Sequence, residues 1–331
     1  MRGVFFVVGP TATGKSEIAA DVATEVGAEI VSADAFQIYR GLDLLTAKPD
    51  TGTLAKVPHH LIGTVSISEE MSAEKFRRLA LQAIAEIQSR GKLAIVVGGS
   101  GLYVKALTHG LSAAPGSDPK TRSKLSKLNL DQLRRRLVDL DPESARKIDM
   151  KNRRRVIRAL EICLLSGRPA SEQQTGWNED VVAAAVSGGR LPMRTSAATT
   201  QGVFVFHERD ELYERINRRV EAMFENGVIE EARNAGAMSE TASKMIGLRE
   251  IRELLDGKMS ILSASRTDSS CGEQCVAAIQ QATRRYAKRQ LTWFRRQTNF
   301  QPLNLSLLSQ NEAVKEISQL ARSFGVTQGN D

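Results

Sequence analysis

Two hydrophobic periods run along this chain. Val4 to Val8 is an unbroken apolar stretch of strand length, the pattern of a strand buried on both faces. From Ser16 to Val26 the spacing becomes helical, with Ile18, Ala19, Val22, Ala23 and Val26 on one side and Gly27 as the stop. Glu29 to Ser32 predicts a second strand, and Asp34 falls just past its end. Ser72 to Arg90 predicts a long amphipathic helix, opened by a Ser-x-Glu start and closed by Gly91. Leu93 to Val97 reads as a third buried strand that runs into Gly98-Gly99, and Ser100 to Thr108 as a helix. Strands alternating with helices imply a parallel α/β sheet with right-handed crossovers, whose ligands sit beyond the C-terminal strand ends. The turn Gly9 to Ser16, Asp34 and Gly98-Gly99-Ser100 would share that edge.

The pattern changes at the turn-rich Pro115-Gly116-Ser117-Asp118-Pro119. Residues 120–175 are helical and basic, and Trp177 to Gln201 is a loose stretch rich in Ala, Gly, Ser and Thr. Val203 to Phe206 returns as a strand, followed by helices over Glu211 to Glu225 and from Val228 to Arg233. A Ser-rich segment at 259–272 leads into a long basic helix from Glu273 to Gln297. The expected organisation is an α/β domain of residues 1–115 and 200–331, interrupted by a mostly helical insertion at 116–199 with a loose end. His59-His60, after Pro58, is expected to be a structural loop element.

With 331 residues, 41% apolar and 25% charged, the chain can bury a substantial core. No apolar run reaches the roughly 18 residues of a membrane span, and the N-terminus reads as a strand and not as a signal peptide; the expected location is the cytoplasm. Three cysteines, Cys163, Cys271 and Cys275, form no disulfide framework. The net charge of +8 favours polyanionic partners. It is concentrated in Lys151 to Arg158, with five cations in eight residues, and Arg284 to Arg296, with six in thirteen. A charge run is ordinarily a solvated helix face, so these runs alone assign nothing.

Gly9-Pro10-Thr11-Ala12-Thr13-Gly14-Lys15-Ser16 fits the P-loop pattern G-x-x-x-x-G-K-[ST], in the strand-to-helix context that the motif requires. The glycines let backbone N–H groups converge on one anion, the helix N-terminus adds partial positive charge, and Lys15 a full one. Ser16 is a candidate ligand for Mg²⁺ bridging phosphate oxygens. Most such loops bind a nucleoside triphosphate such as ATP. A hydrolysing NTPase adds an acid at a second strand end, but here Gly98-Gly99-Ser100 follows that strand. The inventory leaves a small-molecule kinase, a non-nucleotide diphosphate enzyme, or an RNA-binding protein with a vestigial loop. Asp34 has three open roles: proton acceptor, Mg²⁺ ligand or helix cap. Ser100 either caps a helix or orients a substrate.

The order of motifs favours the diphosphate enzyme, through a resemblance. The P-loop is followed by Ser32-Ala33-Asp34-Ala35-Phe36-Gln37-Ile38-Tyr39, Thr46-Ala47-Lys48-Pro49, Val57-Pro58-His59-His60-Leu61-Ile62 and Gly98-Gly99-Ser100-Gly101-Leu102-Tyr103. Arg154-Arg155-Val156-Ile157-Arg158-Ala159-Leu160-Glu161 and Arg284 to Arg295 come later. In that series the chain resembles the tRNA dimethylallyltransferases of bacterial type, through most of its length. The resemblance implies transfer of the dimethylallyl group of dimethylallyl diphosphate to the exocyclic amine of the adenosine 3′ of the anticodon, with release of pyrophosphate. It implies Gly9, Thr11, Ala12, Thr13, Gly14, Lys15 and Ser16 on the diphosphate, Mg²⁺ as cofactor, and an arginine from Arg215 or Arg219, with Arg219 the weaker choice. Asp34 matches the general base, and Ser100 stands where the family usually has threonine. Tight contact with tRNA falls to Asp34, Ala35, Phe36, Gln37 and Ser100, and grip on the anticodon stem-loop to Arg122, Arg154, Arg155, Arg158, Arg284, Arg285, Lys288 and Arg289. A monomer is expected. The chain departs from the pattern at Met245-Ile246-Gly247-Leu248, where leucine replaces a frequent tyrosine.

Overall fold

A computed structural model describes residues 3–111, 114–173, 202–257 and 269–327; the expected loose stretch at 178–201 and residues 259–268 of the expected Ser-rich one lie outside the described residues, while residues 269–272 of the latter are not loose but begin a helix. The chain divides into two compact units, Met1–Leu107 with Ala185–Asp331, and Thr108–Ala184.

The first unit is built on a parallel sheet of six strands: β1 (Val4–Val8), β2 (Glu29–Ser32), β3 (His59–His60), β4 (Ala94–Gly98), β5 (Gly202–Phe206) and β6 (Phe300–Asn304). Their order is β3-β2-β4-β1-β5-β6, every pair parallel. In chain order the helices are α1 (Lys15–Val26), α2 (Thr51–Lys56), α3 (Ala73–Ser89) and α4 (Gly101–Thr108). Within the second unit come α5 (Pro119–Ser126), α6 (Leu130–Leu140), α7 (Pro142–Lys147), α8 (Arg153–Ser166) and α9 (Ala170–Gln173). The first unit resumes with α10 (Arg209–Glu225), α11 (Val228–Arg233), α12 (Leu248–Leu255), α13 (Ser269–Phe294) and α14 (Gln310–Thr327).

All residues of β1, β2 and β4 are buried, as the apolar runs of β1 and β4 require for strands covered on both faces, while the buried Glu29 of β2 is paired with Arg90 and Lys92. Ile18, Val22 and Ala23 of α1 pack with Phe5 and Val7, and Val314, Ile317 and Ala321 of α14 join the same cluster. Elsewhere Phe76 of α3 stacks on Tyr103 of α4 at 3.9 Å between ring centroids. Phe294, near the end of α13, meets Phe204 of β5 at 5.5 Å and Phe300 of β6 at 6.4 Å. These aromatic contacts dock the basic C-terminal helix on the sheet. The helix boundaries follow from local chemistry. Gly27 ends α1 in the left-handed region at φ 67°, its N–H donating to the Ala23 carbonyl, and the Ser72 hydroxyl caps α3 by accepting from the Lys75 N–H.

His59-His60 is not a loop: it is the edge strand β3, with His59 opposite Ile30 and His60 opposite Val31. Two residues are too few to show a period. β6 and α14 complete the sheet and its cover where no element was expected. Pro302 interrupts the strand pattern of β6 and is tolerated because β6 is an edge.

The second unit packs α5, α6 and α8 around Leu125, Leu133, Leu137, Val156 and Leu160. Asn152 caps α8 by accepting from the Arg155 N–H, and Gly167 ends it at φ 67°.

Candidate active site

Gly9 to Ser16 joins β1 to α1 at the C-terminal edge of the sheet. A Cβ on Gly9 would collide with the Val205 carbonyl of the neighbouring strand, so glycine is demanded there by close approach. Ala12 and Gly14 both take left-handed conformations, φ 67° and 78°, and such reversals gather backbone N–H groups into an anion-binding concavity. The loop's carbonyls are engaged on the protein side. The Pro10 oxygen accepts from the Thr13 hydroxyl at 3.0 Å and from Lys15 Nζ at 3.1 Å. The Ala12 oxygen accepts from Arg215 Nε at 2.9 Å, and His207 Nε2 stands 3.3 Å from the Thr13 oxygen. With these three carbonyls engaged, the loop borders a cleft of about 760 Å³ lined by Thr11, Lys15, Ser16, Asp34, Arg215 and Arg219, among others.

Both arginines on α10 that sequence left as alternatives reach the loop. Arg215 holds the Ala12 carbonyl and lies 3.9 Å from Glu211. Arg219 donates from Nη1 to the Thr11 hydroxyl at 2.8 Å. Its buried Nε has no partner among the described residues. Burial pushes the guanidinium down to about 10, against the pull of the Asp34 carboxylate. Burial likewise pushes the Lys15 ammonium down to about 8, again opposed by Asp34 and reinforced by Arg219. Two cations that resist being charged in the free protein face one cleft, a site prepared for an anion.

Asp34 follows β2 and makes a tight turn: its Oδ1 accepts from the N–H groups of Phe36 at 2.8 Å and Gln37 at 3.1 Å. Part of the carboxylate therefore has a structural duty. The side chain also lines the large cleft, a small chamber beside Ser16, and an apolar recess of about 50 Å³ walled by Leu45, Met223, Phe224, Val228, Ile251 and Ile279. Ser100 is buried, and its Oγ accepts from the Ala35 N–H at 2.9 Å, tying the turn after β2 to the start of α4. Phe36 lines the recess, while Gln37 spends its amide on the Ala47 carbonyl at 2.7 Å.

Two site residues on α13 escaped the sequence reading. Gln290 accepts from the Thr11 N–H at 2.9 Å and donates to the Gly99 carbonyl at 2.8 Å, joining the P-loop to the end of β4. Tyr286 lines the apolar recess, its phenol pushed up by burial and by the Asp34 charge. Neither carries a local motif, and Gln290 lies 279 positions from Thr11.

The basic candidates divide. In the second unit Arg122 and Arg158 are held by Glu161, which is fully buried: Arg122 Nε at 3.0 Å and Arg158 Nη1 at 2.7 Å, with the Asp118 N–H at 2.7 Å. Arg158 also donates to the Pro115 carbonyl. These two guanidiniums neutralise a buried carboxylate. Arg154 and Arg155 of α8 are exposed. On α13, Arg284 donates to Asn217 Oδ1 at 2.6 Å and Arg289 lies 5.7 Å over the Tyr286 ring, while Arg285 and Lys288 are exposed.

A parallel sheet with a P-loop motif after its first strand, a carboxylate just past the end of β2 and an apolar recess bordered by both defines a P-loop α/β protein. The chain belongs to the IPP transferase family, whose model matches residues 37–297. It is 42% identical over 295 residues to tRNA dimethylallyltransferase 1 of Citrifermentans bemidjiense, covering 88% of each chain. It is 38% identical over 311 residues to tRNA dimethylallyltransferase of Akkermansia muciniphila, covering 94% of this chain and 96% of that one. Among solved structures it matches the full-length tRNA isopentenylpyrophosphate transferase of Bacillus halodurans with a TM-score of 0.66 and 32% identity, over 99% and 98% of the two chains.

Proposed function

We infer that this chain transfers the dimethylallyl group of dimethylallyl diphosphate to the exocyclic amine of the adenosine 3′ of the anticodon in tRNA, releasing pyrophosphate. The observation that carries the reading is the placement of Asp34, which borders both the anion cleft and the apolar recess. The relatives' names support the same chemistry. The diphosphate lies on the P-loop amides, Lys15 and Arg219, with Arg215 bracing the loop through the Ala12 carbonyl, and the five-carbon tail enters the recess. The amine lone pair forms the new C–N bond as the C–O bond to the diphosphate breaks and its electron pair leaves with pyrophosphate. Asp34, held by two backbone N–H groups, takes the amine proton. Charge accumulates on the leaving diphosphate, which is where the cations are gathered.

The donor set fits Mg²⁺. No cluster of three or more His, Cys, Asp or Glu exists among the described residues, and Mg²⁺ is typically held by one or two protein oxygens plus phosphates and water. Ser16 would hold it, with Asp34 nearby; when bound it supplies positive charge to the phosphate oxygens. The target base leaves its stack to reach Asp34, at a cost of a few kcal/mol that is smallest for an unpaired loop base. Exposed Arg154, Arg155, Arg285 and Lys288 supply sequence-independent phosphate contacts. No helix among the described residues is long and apolar enough to cross a membrane.

The test is incubation with Mg²⁺, labelled dimethylallyl diphosphate and unmodified tRNA, beside a parallel reaction with ATP. Label entering tRNA is expected for the native chain. Asp34→Ala should lose between about a hundredfold and ten-thousandfold of turnover while keeping its tRNA affinity. No transfer of label, with phosphate transfer or hydrolysis from ATP instead, would mean that the loop is a nucleotide site.

A further inference from the structure

Beside the P-loop lies a small chamber of about 20 Å³, enough for one water. Its polar lining is Lys15, Ser16, Ser32, Asp34, Gln37 and His59. All but His59 belong to the P-loop, to β2 or to the turn of Asp34. His59 comes from β3, and nothing in the reaction described above uses it.

The two histidines of β3 do different work. His60 Nε2 lies 2.8 Å from Glu29 Oε2, in a carboxylate cluster shared with Arg90 and Lys92, and is tied to the structure there. His59 Nδ1 lies 2.7 Å from the Val57 carbonyl. A carbonyl only accepts, so the ring proton is on Nδ1 and Nε2 carries a lone pair. Burial and the neighbouring His60 disfavour the charged ring. Nε2 is buried with no partner among the described residues. An acceptor shut away from bulk water needs a donor. Lys15 already donates to the Pro10 carbonyl, and the remaining space admits a water. A water bound to a divalent cation is a polarised donor, and Mg²⁺ keeps several of its waters when it binds protein. Ser16, the hydroxyl fit to hold that ion, opens onto the same chamber.

We propose that His59 is a positioning residue for the metal–diphosphate complex, its Nε2 accepting a hydrogen bond from a water in the coordination shell of the Mg²⁺ held at Ser16. The proposal rests on the reading that the P-loop takes a magnesium diphosphate. His59 would hold that water at the chamber wall, beside the Ser16 hydroxyl. Partners one step removed from a metal commonly matter by a factor of ten or more.

The experiment is calorimetric titration of pyrophosphate into the full chain, in EDTA and at a series of Mg²⁺ concentrations. The native protein, His59→Phe and His59→Gln are compared, after thermal melting has shown all three folded. Phe keeps the ring volume without the lone pair, and Gln restores an acceptor. The expected result is equal affinity of all three in EDTA, a magnesium enhancement about tenfold smaller for His59→Phe, and partial recovery in His59→Gln. An enhancement unchanged in His59→Phe, or a loss of affinity as large in EDTA as in Mg²⁺, overturns the proposal and leaves the transferase reading intact. No enhancement in the native chain overturns the magnesium assignment and this proposal together.

Discussion

Replacing Arg219 by methionine should move binding and stability in opposite directions. The guanidinium is buried beside Lys15, makes one hydrogen bond to Thr11, and leaves Nε unpartnered among the described residues. Burial lowers its proton affinity from the ordinary guanidinium range to about 10, a penalty on the charged form of about 3 kcal/mol. The sign follows: a cation whose folded value is depressed destabilises the fold at every pH below about 10. Methionine keeps much of the volume and removes the charge, so the free protein should be as stable or more stable, by up to about 2 kcal/mol after loss of the Thr11 bond at about 1 kcal/mol. An incoming diphosphate relieves the same penalty, so its affinity should drop by roughly a hundredfold, the equivalent of about 3 kcal/mol. Pyrophosphate titration and thermal melting of the free protein read the two effects separately. A variant that melts lower and binds pyrophosphate within about threefold of the native protein would show that Arg219 is a structural brace, and the reasoning would fall.

Two further outcomes are expected. Lys15 is charged in the free protein only below about 8, and its folded value lies below the unfolded one, so its destabilising contribution is full below 8 and fades between 8 and 10.5. Pyrophosphate affinity should be level below pH 8 and fall above it by up to about tenfold per unit; Lys15→Met should flatten the fall, and an unchanged profile would remove Lys15 from the anion site. Affinity for tRNA should fall steeply with salt, and the double variant Arg285→Ala with Lys288→Ala should reduce the log–log slope by about two; an unaltered slope in filter binding would take α13 off the RNA.

What could be read in advance follows from where each feature gets its signal. The P-loop, β1, β4 and Asp34 are written locally: a spacing of glycines, unbroken apolar runs and a polar residue just past a strand. The apolar recess is contributed by α10 to α13 and the segment around Leu45, so no window of sequence contains it. Gln290 looks like any polar residue in a basic helix until the fold sets it against Thr11 and Gly99. The two arginines show the opposite limit, because motif order placed them together but only burial separates Arg219 from the loop-bracing Arg215. The charge run at Lys151 to Arg158 was uniform on paper, yet the buried Glu161 claims Arg158 for packing and leaves Arg154 and Arg155 at the surface. Pro302 hid an edge strand that tolerates it.

The strand order carries a consequence for how this protein is made. β1 emerges first from the ribosome, yet it lies between β4 and β5, and β5 is in turn flanked by β6, whose residues follow Phe300. The phosphate loop is finished only when Gln290 arrives from the far end of the chain. A nascent chain therefore carries the complete motif through most of translation without the neighbours that shape it, its central strand unpaired on one side. Such long-range closure is slow and leaves sheet edges exposed meanwhile. The pocket comes into being only once α13 has been made, so a chain that stops short of α13 would be an inactive and aggregation-prone product and not a weaker enzyme.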